Sequence, residues 1–230
     1  MERFGVKVGI IIQARIGSTR LPGKVLKPMA GKKLLDHVIG RLAQLHYPAE
    51  IVIATTDLPQ DDVVERRGLG MGVSVFRGSE TDVLDRYYQC ARKNCFDHVV
   101  RLTADNPFTD IEELGRLIEL HLLDRNDYTH SFGSMPLGVG AEIFTFHALE
   151  RSTYEGLSPN HREHVNEYIQ ENSTLFKIGI LEVSASKSNP TLRLTVDNEE
   201  DYRRACAIIE YAPDRWIDTE EAIKLCLQFV

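Results

Sequence analysis

The sequence predicts an α/β fold, a mostly parallel mixed sheet with helices on both faces. Three observations lead there. Short apolar runs alternate with segments whose apolar residues recur at helical spacing. The apolar runs are continuous enough to be strands buried on both sides. The polar, motif-bearing stretches fall where those runs end, and ligands of parallel sheets sit beyond the carboxyl ends of the strands.

Taken in order, "VGIIIQA" is the first strand, and "KLLDHVIGRLAQL" is a helix with Leu34, Leu35, Val38, Ile39, Leu42 and Leu45 on one face. "EIVIATT" is the second strand, followed by a short charged helix near Asp61 to Arg67. "VSVFRG" is the third strand, and "TDVLDRYYQCARKN" is a helix for which Thr81 or Ser79 is the expected cap. "HVVRLTA" is the fourth strand, and "DIEELGRLIELHLL" is a helix with acids in its first turn, where the helix dipole favours them. After Asp127 the rhythm changes. "DYTHSF", "AEIFTF", "TLFKIGILEV" and "TLRLTVD" read as strands, and "HALERSTYE" and "HREHVNEYIQEN" as intervening helices. "NEEDYRRACAIIEYA" and "DTEEAIKLCLQF" are C-terminal helices. No repeat or Gly/Ser/Pro-rich linker divides the chain, so residues 1–230 are expected to form one domain, with 128–185 as a small arm or subdomain.

A length of 230 residues suffices for one large core. The formal net charge of −7 argues against a general binder of nucleic-acid backbones but leaves room for a local basic pocket. The four cysteines form no C-x-x-C pair and read as buried thiols of a reducing compartment. "MERFGVKVGIII" lacks a small-residue cleavage site, and no run is long enough to span a bilayer, so the expected location is the cytoplasm, away from membranes.

The chemistry begins directly after the first strand. Gly17, Ser18, Thr19 and Gly23 make a loop that can turn backbone N–H groups toward an anion, and Arg15, Arg20 and Lys24 add charged donors. The stretch fits neither the Walker pattern nor G-x-G-x-x-G. A nucleoside triphosphate is the expected guest, against a solvated basic turn as the bland alternative.

"IIQARIGSTRLPGKVL" resembles the N-terminal loop of the cytidylyltransferases that activate acidic sugars, and especially the spore-coat polysaccharide branch. The resemblance recurs in "IVIATTD", "VFRGSETDVLDRYY", "VVRLTADNPFTD", "REHVNEYI" and "LRLTVDNEEDY". It implies a Rossmann-like sheet of the nucleotide-diphospho-sugar transferase type, and transfer of CMP from CTP to a hydroxyl of an acidic sugar with release of pyrophosphate. It implies Mg²⁺ held by Asp105 and Asp197, with Lys24 and Arg15 acting on the phosphates. Nucleotide contacts are expected at Gln13, Ala14, Arg15, Gly17, Ser18, Arg20, Lys24 and Ala104. Others are expected at Ala54, Thr55, Gly78, Ser79, Asp82 and Val83, with Arg86 a weaker candidate that a solvated helix position explains equally well. Acceptor contacts are expected at Glu142, Arg162 and His164, where a hydrogen-bonded structural histidine is the alternative for the last. The sequence departs from the resemblance at Gly140, two residues before Glu142, where many members of that family carry an acid. The resemblance also implies a homodimer through 128–185.

For Asp105 the bland reading is a cap on the Asn106-Pro107 turn. For Asp197 it is a helix N-cap, shared with Asn198. Rival activities are a nucleotidyltransferase that uses another triphosphate and a sugar 1-phosphate, a glycosyltransferase, and a silent nucleotide-binding subunit. "TADN" offers one acid where a glycosyltransferase usually shows D-x-D.

Overall fold

The computed structural model describes residues 5–229; the start of the segment tested for a leader, Met1 to Phe4, lies outside them. In chain order the strands are β1 (Val8–Gln13), β2 (Pro28–Met29), β3 (Lys32–Lys33), β4 (Glu50–Thr56) and β5 (Ser74–Gly78). They continue as β6 (His98–Thr103), β7 (Tyr128–His130), β8 (Glu142–Thr145) and β9 (Ile178–Ile180). The helices are α1 (Leu34–Leu42), α2 (Asp62–Gly70), α3 (Val83–Lys93), α4 (Ile111–Asp124) and α5 (Phe146–Glu155). They end with α6 (Pro159–Glu163), α7 (Glu167–Glu171), α8 (Glu199–Tyr211) and α9 (Thr219–Gln228).

Seven strands form one sheet in the order β5-β4-β1-β6-β8-β7-β9. β5, β4, β1 and β6 pair in parallel, β8 runs against both β6 and β7, and β9 is parallel to β7. The expected mostly parallel mixed sheet is therefore present. β1 lies between β4 and β6, and the chain crosses from it to β4 on one side and later to β6 on the other. The ends of β1 and β6 consequently diverge into a crevice, the topological switch point where α/β sheets bind ligands.

The strand period of two sorts β1 between two cores. Ile10 and Ile12 pack with Leu35, Val38, Leu114 and Leu117 of α1 and α4, while Ile11 packs with Val83, Tyr87 and Leu149 of α3 and α5. A third core lies under the C-terminal helices. Ile208 of α8 and Ile223 of α9 gather Leu21, Phe108, Met135 and Val196, which belong to four separate loops. Those four loops build the site.

Several expectations need correction. "TLRLTVD" is not a strand, for only Arg193 forms an isolated bridge, to Leu137; its apolar residues Leu192, Leu194 and Val196 instead fill the third core. "HREHVNEYIQEN" is two short helices that break at His164, because Ser158 caps the first with a Pro at its start and the chain is extended at His164. The cap of α3 is Asp82, whose carboxylate accepts the Asp85 N–H, while Ser79 accepts the N–H of Asp82 itself. All four cysteines are free thiols, but Cys95 is exposed and Cys206 half-buried. The β2–β3 hairpin, turning at Ala30-Gly31, was not expected. Among the described residues no helix is long and apolar enough to cross a membrane.

One polar cluster ties α4 to the sheet. His121, fully buried, meets His98 Nδ1 at 2.9 Å through Nε2 and Thr129 Oγ1 at 2.9 Å through Nδ1. Burial first, and the neighbouring His98 second, push the His121 pKa down to about 3. Its neutral form is thus favoured in the folded state. Its linkage is silent above the ordinary histidine pKa near ~6.5, and it costs stability as pH falls below that, by up to about 1.4 kcal/mol per pH unit. The fall in melting temperature between pH 7 and pH 5, followed by circular dichroism, is expected to be smaller in His121→Gln than in the parent. Equal falls would contradict the assignment.

Candidate active site

The loop after β1 turns back at Gly23, whose φ of 69° is left-handed and suits glycine, and this carries Lys24 beneath the carboxyl ends of β1 and β6. Lys24 is 9% exposed. Its Nζ donates to Asp105 Oδ2 at 2.6 Å, to Val196 O at 2.9 Å and to Asp197 Oδ1 at 3.1 Å. Two carboxylates 92 positions apart in sequence thus converge on one ammonium, and all three of its protons are engaged.

Each acid is held from behind. Thr103 Oγ1 donates to Asp105 Oδ1 at 2.5 Å and accepts the Asn106 side-chain amide at 2.9 Å. Arg41, buried under the same loop, donates to Pro107 O at 3.0 Å and Ile217 O at 2.6 Å. Burial lowers the Arg41 pKa to about 10, partly opposed by Asp110 and Asp218, so it stays charged at neutral pH. Asp197 receives Arg20 on Oδ1 and Arg193 on Oδ2, each at 2.9 Å, and its N–H donates to Asp201. Burial pushes the Asp197 carboxyl up, but Lys24, Arg20 and Arg193 together outweigh it and hold the pKa below the ordinary carboxylate value. Asn198, not Asp197, caps α8, which leaves the Asp197 carboxylate free for the site.

Lys24, Asp105 and Asp197 line a cleft of about 240 Å³ together with Gln13, Arg15, Gly17, Ser18, Arg20 and Ala104. Among the described residues the backbone N–H groups of Gly17, Thr19 and Arg20 have no partner in the protein, as an anion cradle requires. Arg15, a third exposed, has one ion-pair partner among the described residues, Glu163 at 4.0 Å. Asp105 and Asp197 also border a second cleft, of about 390 Å³, walled by residues 131–140. Gly138, at φ 93°, lets that wall approach closely, because a Cβ there would lie 2.6 Å from Thr195 N.

The remaining expected residues are placed differently. Ala14, Ala54, Thr55 and Val83 are buried, and Val83 is a core residue of the α3 face. Asp82 is committed to capping α3 and to Arg162, whose Nε lies 2.8 Å away. Arg162 thus braces α6 against α3 and does not line the second cleft. His164 is exposed at the end of α6, away from the second cleft. Glu142 is wholly buried, takes Arg101 on one oxygen and the Tyr128 hydroxyl on the other, and does not line the second cleft. Gly78 stands beside Arg86, which is 0% exposed and donates to Ser79 O.

Arg86 is the residue that the sequence undervalued. Its Nε and NH2 are buried without partners, as are Gln13 Oε1 and Thr55 Oγ1 at the ends of the neighbouring strands. Burial lowers the Arg86 pKa, and no carboxylate hydrogen-bonds it. The signal present in the sequence was an arginine on the face of α3 that also carries Val83, Tyr87 and Cys90 at helical spacing.

The cytidylyltransferase family model matches residues 9–229, and the chain belongs to that family. It is 39% identical over 210 residues to the spore coat polysaccharide biosynthesis protein SpsF of Bacillus subtilis (strain 168), covering 89% of this chain and 87% of the relative. A cytidylyltransferase structure from Leptospira borgpetersenii superposes with a TM-score of 0.91 at 33% identity, covering 97% and 95% of the two chains. CMP:2-keto-3-deoxy-manno-octonic acid synthetase, solved in complex with CTP, shares the fold at a TM-score of 0.70 and 20% identity, over 89% of this chain and 99% of that one.

Removing the ammonium leaves two carboxylates facing each other in a half-buried site. Lys24→Ala is expected to lower unfolding stability by about 3 kcal/mol, and adding Asp197→Asn to recover part of that. Urea denaturation of the single and double variants checks this. An unchanged Lys24→Ala would show that the acids do not depend on the lysine.

Proposed function

We propose that the protein transfers CMP from CTP to a hydroxyl of an acidic sugar in the synthesis of a surface polysaccharide, releasing pyrophosphate. The observation that carries this reading is the convergence of Asp105 and Asp197 on Lys24 where the two clefts meet. The smaller cleft has the unpaired N–H groups and cations that suit a triphosphate, and the larger one suits an acceptor. The CTP complex of the octonic acid synthetase and the polysaccharide role of the Bacillus relative support the same assignment.

The donor set fits Mg²⁺. This hard cation is usually bound by one or two carboxylates together with substrate phosphates. Asp105 and Asp197 supply two carboxylates, and among the described residues no cluster of three or more His, Cys, Asp or Glu gathers to hold a metal unaided. When bound, Mg²⁺ would neutralise charge on the phosphates. The chain's own residues do the rest. Arg15, Arg20 and the loop N–H groups orient the triphosphate, and Lys24, its three protons held by Asp105, Asp197 and Val196 O, adds positive charge beside the departing pyrophosphate. Gln13, Thr55 and Arg86 offer buried, unpaired polar atoms near the strand ends for the nucleobase.

The chain is further proposed to act in the cytoplasm as one catalytic unit, paired with a second copy through 128–185. Tyr154, Leu157 and Ile180 support the pairing, being large apolar residues left 65%, 80% and 62% exposed there.

Calorimetric titration of CTP, UTP, GTP, ATP and dTTP with Mg²⁺ tests the nucleotide assignment. CTP is expected to bind at least about tenfold more tightly than the others, a difference of roughly 1.4 kcal/mol. Preference for another triphosphate would overturn the reading. Asp105→Asn is expected to keep the native circular dichroism spectrum while reducing pyrophosphate release by about a hundredfold or more. Retained turnover would remove Asp105 from the mechanism.

A further inference from the structure

Asp61 stands at the start of α2, where an aspartate ordinarily caps its own helix, yet its carboxylate caps nothing there. It is 0% exposed, a rare state for an acid. Among the described residues its oxygens are taken by two neutral donors from other segments. Oδ1 accepts the Ile16 N–H at 2.7 Å, and Oδ2 accepts the Thr56 hydroxyl at the end of β4. Ile16 is the pivot of the loop after β1. Its carbonyl accepts the Ser18 N–H at 2.7 Å and the Gly23 N–H at 3.1 Å, so Asp61 fixes the one backbone group of Ile16 that the loop itself leaves free. Arg15, Gly17 and Lys24, on either side of that pivot, line the smaller cleft, and Asp61 does not. Burial lowers the Arg86 pKa, Arg15 lowers it further and Asp61 opposes both, so the charge of the acid is offset by two arginines within its reach.

We infer that Asp61 is the positioning residue of the anion loop: it holds the Ile16 N–H from beneath, and through Ile16 it sets where the free N–H groups of Gly17, Thr19 and Arg20 and the ammonium of Lys24 stand. This rests on the reading of that loop as a triphosphate cradle and deepens it. Asp61 touches no ligand. It acts through a hydrogen bond rather than a charge, because a carboxylate behind the cradle repels an anion by its charge while its bond to Ile16 orders the donors that bind one. A neutral amide of the same shape therefore serves as well, since Asp61→Asn keeps an oxygen for Ile16 and removes the repulsion.

The test is calorimetric titration of the full chain with inorganic tripolyphosphate in Mg²⁺ buffer, a probe that carries neither base nor sugar. Asp61→Asn is expected to bind it as tightly as the parent, or up to about threefold more tightly. Asp61→Ala/Thr56→Val removes both halves of the buried acid–hydroxyl pair and leaves the Ile16 N–H unpartnered. It is expected to keep the native circular dichroism spectrum and to bind tripolyphosphate about tenfold or more weakly. Thr56→Val alone takes a bond from the carboxylate but none from the loop. It is expected to lower the urea midpoint while tripolyphosphate affinity stays within about twofold of the parent, a separation that a merely structural role for Asp61 would not give. Equal binding by the parent and the double variant, an equal loss in Thr56→Val, or a loss in Asp61→Asn as large as in the double variant would overturn the assignment. A parent that binds no tripolyphosphate would overturn it together with the cradle. The expected pattern in a protein that prefers another triphosphate to CTP would uphold Asp61 and overturn the cytidylyl reading alone.

Discussion

Lys24 is the interaction on which the site depends. Two carboxylates in a half-buried crevice repel one another, and an ammonium between them removes that repulsion while fixing their spacing. The lysine can sit there because Gly23 turns the chain and because the first strand ends beside the fourth strand of the parallel half of the sheet. Arg20 and Arg193 then complete the second acid from outside, and Thr103 the first from below. On the proposed reading the acids are held ready for a cation and a triphosphate by groups already in place, the preorganisation that lets electrostatics lower a barrier.

The third hydrophobic core does comparable work at longer range. The loops that carry Leu21, Phe108, Met135 and Val196 would otherwise be free surface segments, and each borders a cleft. Packing them on the two C-terminal helices makes the floor and walls of both clefts part of one core, with Arg41 bonding to Pro107 and Ile217 carbonyls as a polar rivet. The C-terminal helices touch no expected ligand, yet site geometry rests on them.

Much of this was legible in the sequence, and the reasons differ by element. The strands β1, β4 and β6 announce themselves because central parallel strands must be apolar on both faces. The loop of Arg15 to Lys24 was legible because so many cations and small residues directly after a buried strand need a purpose. Asp105 and Asp197 were legible mainly through resemblance, since either acid alone reads equally well as a cap. The segment 191–197 misled because leucine and valine alternate with polar residues there, the pattern of a half-buried strand, while the side chains are used to fill a core between helices and loops. Glu142, Asp82 and Arg162 differ in another way. The resemblance suggested them as ligands, and in the fold each is held by a partner from a distant segment, a pairing that a sequence does not display. The same blindness hid Arg86, whose significance lies in hydrogen bonds it does not make.

The most direct test of the two-acid site is titration with Mn²⁺ as a paramagnetic probe, read by electron spin resonance with and without CTP. The account predicts that the ion binds tightly only when CTP is present, and that Asp105→Asn and Asp197→Asn each abolish that binding while CTP alone still binds. Nucleotide-dependent Mn²⁺ binding that is as tight in both variants as in the parent would place the metal elsewhere and contradict it.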